Sequence, residues 1–279
     1  MEYFICNSKL CKYELAILSA NNRGLRFGDG LFETMKSLNG QLQFADEHFA
    51  RLWKGLQILQ FNIPKHFTPE ILEEEIRELL KKNDHRKIAR IRITVFRGDG
   101  GLYDAINHTP NYLIQTWQLP DETGTWNSNG LVLGIYTDVK KSCDILSNLK
   151  HNNFLPYVMA ALHAKKQKWN DAIILNTAGR LCDTTIANIF LIKDEVIYTP
   201  ALAEGCIAGV MRKNIINRLV VANYKVSEVL LTVDDLLAAD EAFLTNSIYN
   251  IRWVQGIDDK KYVNTQTQKI YASVFSTNS

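Results

Sequence analysis

SNLKHNNFLPYVMAALHAKKQKWNDAIILNTAGRLCDTTIANIFLIKDEVIYTP, residues Ser147 to Pro200, decides the fold, and the block closes with EGCIAGVMRKNI ending at Ile215. Lys150 stands before a helical pattern entered through Pro156. The apolar run DAIILN then reads as a strand, NTAGR as a tight turn, and the run that follows carries Asp183. Gly209 opens a second helical pattern, GVMRKNIINRLVVAN. Strand and helix patterns alternate without a long break, which is the pattern of an α/β protein. Taken singly, the polar residues have plain readings: lysine is mostly solvated, and Asp is common in turns and helix caps.

Upstream, YFICN and ELAILS read as two short strands around the polar SKLCKY, and RGLRFGDG as a glycine loop. LFETMKSLNGQLQF reads as a hairpin turning at Asn39-Gly40. DEHFARLWKGLQILQF places Phe49, Leu52, Leu56 and Leu59 at helical spacing behind Asp46 as cap, and Thr68-Pro69-Glu70 opens a second helix. KIARIRITVF alternates as a strand, RGDGGLYD is a glycine-rich loop, and NYLIQTW is a further strand. The turn-rich LPDETGTWNSNG is the natural connection, so two α/β domains are expected, residues 1–118 and 124–279. Downstream of it, LVLGIYTDV, KVSEVLLT and EAFLTNSIYNIRWVQGI add strands and VDDLLAAD a short helix.

From Arg23 to Phe243 this succession of motifs resembles the class IV aminotransferase family, the fold-type IV pyridoxal phosphate enzymes. That family includes branched-chain aminotransferases, D-amino acid transaminases and aminodeoxychorismate lyases. The resemblance implies pyridoxal 5'-phosphate as cofactor and Lys150, in LKHNN, as the lysine that binds its aldehyde and then moves protons. Lys140 and Lys141 read as polar-loop residues and Lys165 and Lys166 as a basic helix end. The carboxylate for the ring nitrogen falls on Asp183, where the family usually has Glu, and the Tyr that often follows the lysine is replaced by Phe154 and Leu155. The phosphate group would meet Arg51 of EHFARL, the helix start Gly209, Val210 and Met211, and Ser247 of LTNSI. Arg92 and Tyr103 match substrate positions, and FRGDGGLYD is similar to the glycine loop of the lyases, with Leu102 where an Arg is common. The implied activity is 4-amino-4-deoxychorismate lyase, releasing pyruvate and 4-aminobenzoate. The alternatives are an amino acid aminotransferase of branched-chain type, or a catalytically weak cofactor-binding homologue. A homodimer is implied as well.

Composition narrows the partners. With 279 residues, 46% hydrophobic and 22% charged, the chain can build a substantial core. Its 32 Lys+Arg against 30 Asp+Glu leave a net charge of +2, no reason to expect nucleic acid or membrane attraction. A small-molecule amino substrate is expected. Five scattered cysteines without a CxxC pair read as reduced thiols, no run is apolar enough for a membrane helix, and no His/Cys cluster suggests a metal, so a cytoplasmic protein is expected.

Overall fold

The computed structural model describes residues 2–15, 18–104 and 106–275. The chain forms two compact units, Met1–Thr123 with Lys150–Asn153, and Gly124–Leu149 with Phe154–Ser279.

In the first unit, β1 (Tyr3–Cys6) and β2 (Lys9–Lys12) form a hairpin, α1 (Arg23–Phe27) follows, and β3 (Gly30–Leu38) turns at Asn39-Gly40 into β4 (Gln41–Leu42). Helices α2 (Ala45–Ile58) and α3 (Pro69–Lys82) precede β5 (Ile88–Arg97) and β6 (Pro110–Gln118). The sheet order is β2-β1-β6-β5-β3-β4, antiparallel throughout. Alternation divides its faces. Met35, Ile91, Ile93 and Ile114 are fully buried on the face that α2 and α3 cover with Leu56 and Ile76. Each such side chain contributes about 1.5–3 kcal/mol on leaving water.

Three local expectations change. The second strand is Lys9–Lys12, inside the stretch read as a connection, while Ala16 and Ile17 of ELAILS lie outside the described residues. RGLRF is a short helix capped by the Asn22 side chain rather than a loop. The cap position of α2 is Phe44, in left-handed conformation with no side-chain hydrogen bond, and Asp46 lies in the first turn, where its charge still suits the helix dipole.

The second unit begins with β7 (Leu131–Lys141), followed by α4 (Leu155–Gln167), β8 (Asp171–Asn176), β9 (Leu181–Thr184), β10 (Asn188–Lys193) and β11 (Val196–Pro200). Then come α5 (Val210–Val221), β12 (Val226–Val229), α6 (Val233–Ala238), β13 (Glu241–Asn246), β14 (Asn250–Ile257), β15 (Lys260–Lys261) and α7 (Thr265–Phe275). The mixed sheet runs β12-β11-β10-β13-β14-β7-β8-β9, with β15 paired to β14. One core cluster gathers Leu133, Ile173, Leu191, Leu244, Val254 and Ile257; another joins Tyr157, Ala160 and Ala164 of α4 to Tyr136, Ile174 and Ile207. Small residues on the buried side of α4 let it lie close on β7 and β8.

Lys150–Asn153 adds to the edge of the first unit. The Phe32 N–H donates to the Lys150 carbonyl at 2.8 Å, His151 bridges Leu31, and the Asn152 N–H donates to the Gly30 carbonyl at 2.9 Å. A Cβ at Gly30 would lie 2.1 Å from the Val95 carbonyl and 2.6 Å from Asn152 Nδ2, so glycine is what admits this segment.

Candidate active site

Candidate side chains gather in each unit, and each group is built by its own sheet. In the first unit, β3 sends Glu33 to the helix side, where α2 presents His48 and Arg51 one turn apart. The Arg51 guanidinium grips the carboxylate through Nε at 2.7 Å and Nη2 at 2.6 Å, and His48 Nδ1 donates at 2.8 Å. Glu33 is 1% exposed. Burial pushes its pKa up, but Arg51 and His48 outweigh burial and hold it at about 2. His48 has its pKa lowered, first by burial, and the ammonium of Lys150 adds to this against the pull of Glu33. The predicted phosphate ligand Arg51 is thus held by a carboxylate of its own unit.

On the other sheet face, Phe32, Thr34 and Lys36 of β3 stand opposite Thr94, Arg92 and Arg90 of β5, and Arg90 stands opposite Trp117 of β6. Lys150 Nζ lies 4.3 Å from the centre of the Phe32 ring, and the Arg92 guanidinium carbon 3.8 Å from the same ring. Arg92 also donates to Thr94 Oγ1 at 3.1 Å. Arg90 lies over the Trp117 ring at 5.1 Å, and its Nε is buried without a hydrogen-bond partner among the described residues. Burial brings the Lys36 pKa down to about 8; burial and then Arg90 bring Arg92 to about 10. Among the described residues neither arginine pairs with a carboxylate. Such a face stabilises an anion brought to it.

Tyr103 is 82% exposed, 5.6 Å from the Phe27 ring. Its loop is anchored at the base: Arg23 donates to the carbonyls of Gly100, Leu102 and Tyr103, and both Arg23 and Arg97 pair with Asp29.

In the second unit, Asp183 of β9 is 1% exposed and surrounded by donors. Its Oδ2 accepts from Lys141 Nζ at 3.0 Å, Tyr157 Oη at 2.9 Å and the Ile207 N–H at 2.9 Å, and its Oδ1 accepts from Asn188 Nδ2 at 2.9 Å. Lys141, read from the sequence as a loop lysine, is instead the 7% exposed last residue of β7, and it also donates to the Ser147 carbonyl at 3.2 Å. Tyr157 Oη, left without a role in the sequence reading, spends its hydrogen bond on Asp183.

Asn188 ties this carboxylate to the start of α5, since its Nδ2 also donates to the Ile207 carbonyl at 2.9 Å. A Cβ at Gly209 would sit 2.0 Å from Asn188 Oδ1, which the two Nδ2 bonds prevent from moving aside. No side chain caps α5 at Gly209, so the N–H groups of its first turn, at Val210 and Met211, present positive dipole. Thr245 stands opposite Asn188 across the β10–β13 pair, 2% exposed, with its hydroxyl buried and unpartnered among the described residues. Ser247 lies half-buried in the turn just beyond. An uncapped helix start beside an unsatisfied hydroxyl is an anion cradle.

Sequence reasoning overlooked Glu33, Lys36, Asn188 and Thr245, and it read Lys141 as a polar-loop residue. Glu33 shares the alternation phase of Leu31 and Met35, so a buried carboxylate was legible there. Lys141 was not, because the β7–β8 register shifts between Tyr136 and Lys141 and breaks the phase.

Residues 30–257 match the profile of the family described as amino-transferase class IV. An aminodeoxychorismate lyase of Vibrio harveyi is 32% identical over 85% of this chain and 86% of its own length. An aminodeoxychorismate lyase of Bacillus subtilis is 30% identical over 92% of the chain and 87% of its own length. The solved branched-chain amino acid aminotransferase of Escherichia coli superposes with a TM-score of 0.87 at 20% identity, covering 99% of this chain and 94% of that one.

Proposed function

The chain belongs to the amino-transferase class IV family and is a pyridoxal 5'-phosphate enzyme, and from that premise we propose that its reaction is the cleavage of 4-amino-4-deoxychorismate to pyruvate and 4-aminobenzoate. The observation that carries this reading is the cationic face beside Lys150. A branched-chain amino acid brings one carboxylate and an apolar side chain; aminodeoxychorismate brings two carboxylates and a flat ring. Lys36, Arg90 and Arg92, with Phe32 and Trp117 between them, suit the second. The two lyases among the relatives support it further.

In this reading the α5 start holds the cofactor phosphate through Gly209, Val210 and Met211, and Ser247 and Arg51 add donors. The unpartnered Thr245 hydroxyl supports that assignment. Asp183 is the partner of the ring nitrogen. When bound, the cofactor supplies an electron sink conjugated with the amine-bearing carbon. Arg92 orients a substrate carboxylate, with Tyr103 as a further contact. Lys150, displaced from the aldehyde by the substrate amine, takes the proton from the amine-bearing carbon. The ether C–O bond then breaks, enolpyruvate leaves and becomes pyruvate on gaining a proton at its methylene carbon, and the ring becomes aromatic.

A second copy of the chain is the proposed partner. Leu155, Val158, Met159 and Leu162 expose an apolar stripe along α4, at 67, 48, 45 and 57% exposure, the surface a homodimer would cover. Light scattering should then give twice the 31.9 kDa chain mass. Among the described residues no helix is long and apolar enough to cross a membrane, consistent with the cytoplasmic setting we propose.

The test supplies aminodeoxychorismate to the loaded enzyme and follows pyruvate. Release of pyruvate with 4-aminobenzoate, lost in Lys150→Ala, is expected. Amino transfer from L- or D-amino acids to 2-oxoglutarate with no pyruvate from aminodeoxychorismate overturns the reading.

A further inference from the structure

Asp183 meets a buried opposite charge within its own unit. Lys141 Nζ contacts Asp183 Oδ2 at 3.0 Å, and the two side chains are 7% and 2% exposed. The ammonium also reaches the Ser147 carbonyl and lies 5.1 Å from the Tyr157 ring, so strand, loop and helix all fix its position. Lys141 Nζ, Tyr157 and the Ile207 N–H all use Oδ2, while among the described residues Asn188 alone uses Oδ1. The acceptor capacity left to the carboxylate is therefore on Oδ1.

Other titratable groups face this carboxylate, from β9, from α4 and from the approach to α5. The thiols of Cys182 and Cys206 and the phenol of Tyr157 are all pushed up, first by burial and then by Asp183, and stay neutral. Arg212, which acts on Cys206, is paired with Glu228. Lys141 behaves differently: burial opposes its charge, yet Asp183 and the neighbouring groups raise its pKa, so it stays an ammonium. The compensating positive charge at Asp183 is thus Lys141.

We infer that Lys141 is a positioning residue for the cofactor, turning the ring-nitrogen partner from a bare carboxylate into a neutral buried ion pair and so lowering the basicity of the ring nitrogen. This rests on the reading of Asp183 as that partner. A lone carboxylate attracts a proton onto the ring nitrogen as a full charge; a carboxylate with an ammonium against it acts only as a dipole, whose pull falls off faster with distance. The shorter aspartate belongs with this arrangement. Set back by one methylene, about 1.5 Å, relative to a glutamate, its Oδ2 lies among the donors of its own unit.

The experiment uses the full chain loaded with pyridoxal 5'-phosphate labelled with 15N in the ring, and follows the chemical shift of that nitrogen against pH. Lys141→Met and Lys141→Gln both remove the charge, and the second keeps a donor to Asp183. Both should raise the midpoint of ring-nitrogen protonation by about 1–3 pH units. A purely structural lysine would be replaced by Gln without a shift. Asp183→Asn separates the two levels of the argument. If it leaves the ring-nitrogen shift unchanged, Asp183 is not the partner and the inference falls with that reading. If it moves the shift while neither Lys141 variant does, the inference alone is overturned.

Discussion

Replacing Glu33 by Gln tests whether the buried grip on Arg51 is as strong as its geometry implies. The carboxylate is 1% exposed and held at about 2 against an ordinary glutamate value of 4.5. At about 1.4 kcal/mol per pH unit, that difference corresponds to roughly 3 kcal/mol of stability at pH 7. Breaking a buried, hydrogen-bonded ion pair from one side costs about the same, 3–5 kcal/mol. The sign follows from a depressed acid: the contribution is complete above pH 4.5 and disappears as the pH falls through about 2. Burial lowers the His48 pKa and Glu33 opposes this, so the acid limb of the comparison reads the Glu33, Arg51 and His48 group as a whole. Urea unfolding of the cofactor-free proteins, followed by tryptophan fluorescence, should place Glu33→Gln roughly 3 kcal/mol below wild type at pH 7. The gap should narrow between pH 4.5 and 3. With Arg51 no longer oriented, affinity for the cofactor should fall as well. A gap under about 1 kcal/mol at pH 7, or one that does not narrow on acidification, refutes the reasoning.

Two further outcomes are expected. Thr245→Val removes a buried hydroxyl that has no partner among the described residues, so thermal stability should hold or rise by up to about 1 kcal/mol while cofactor affinity drops roughly 10-fold or more; unchanged affinity in a fluorescence titration refutes the cradle. Because burial holds the Lys36 pKa at about 8 rather than 10.5, its charge fades as the pH climbs past 8, and kcat/KM for a dicarboxylate should fall about 10-fold per pH unit above that point. Stability moves the other way there, since the unfolded chain binds the extra proton between 8 and 10.5. A kcat/KM profile flat to about pH 9.5 rules Lys36 out as an anion contact.

Local patterns carried most of the elements. The Asn39-Gly40 hairpin, the Thr68-Pro69 helix start and the strands Ile88–Arg97 and Asp171–Asn176 follow from turn chemistry, capping and hydrophobic phase, which are short-range properties of the chain. The proposed chemistry was read from residue types in order: Lys150, Asp183 and Gly209 are spaced by intact strand and helix patterns. What the sequence by itself could not determine is who faces whom. Arg90 and Arg92 were ambiguous between solvent and interior until β3 paired beside them and brought Lys36 and Phe32 to the same face. Lys141 looked solvated because a register shift removes the alternation that would have marked it as buried, and because its partner Asp183 lies 42 residues away. Thr245 and Asn188 likewise meet only through the pairing of β10 with β13. Propensity and phase act over a few residues and are written along the chain; charge compensation and anion binding depend on distances between strands, which only the tertiary structure sets.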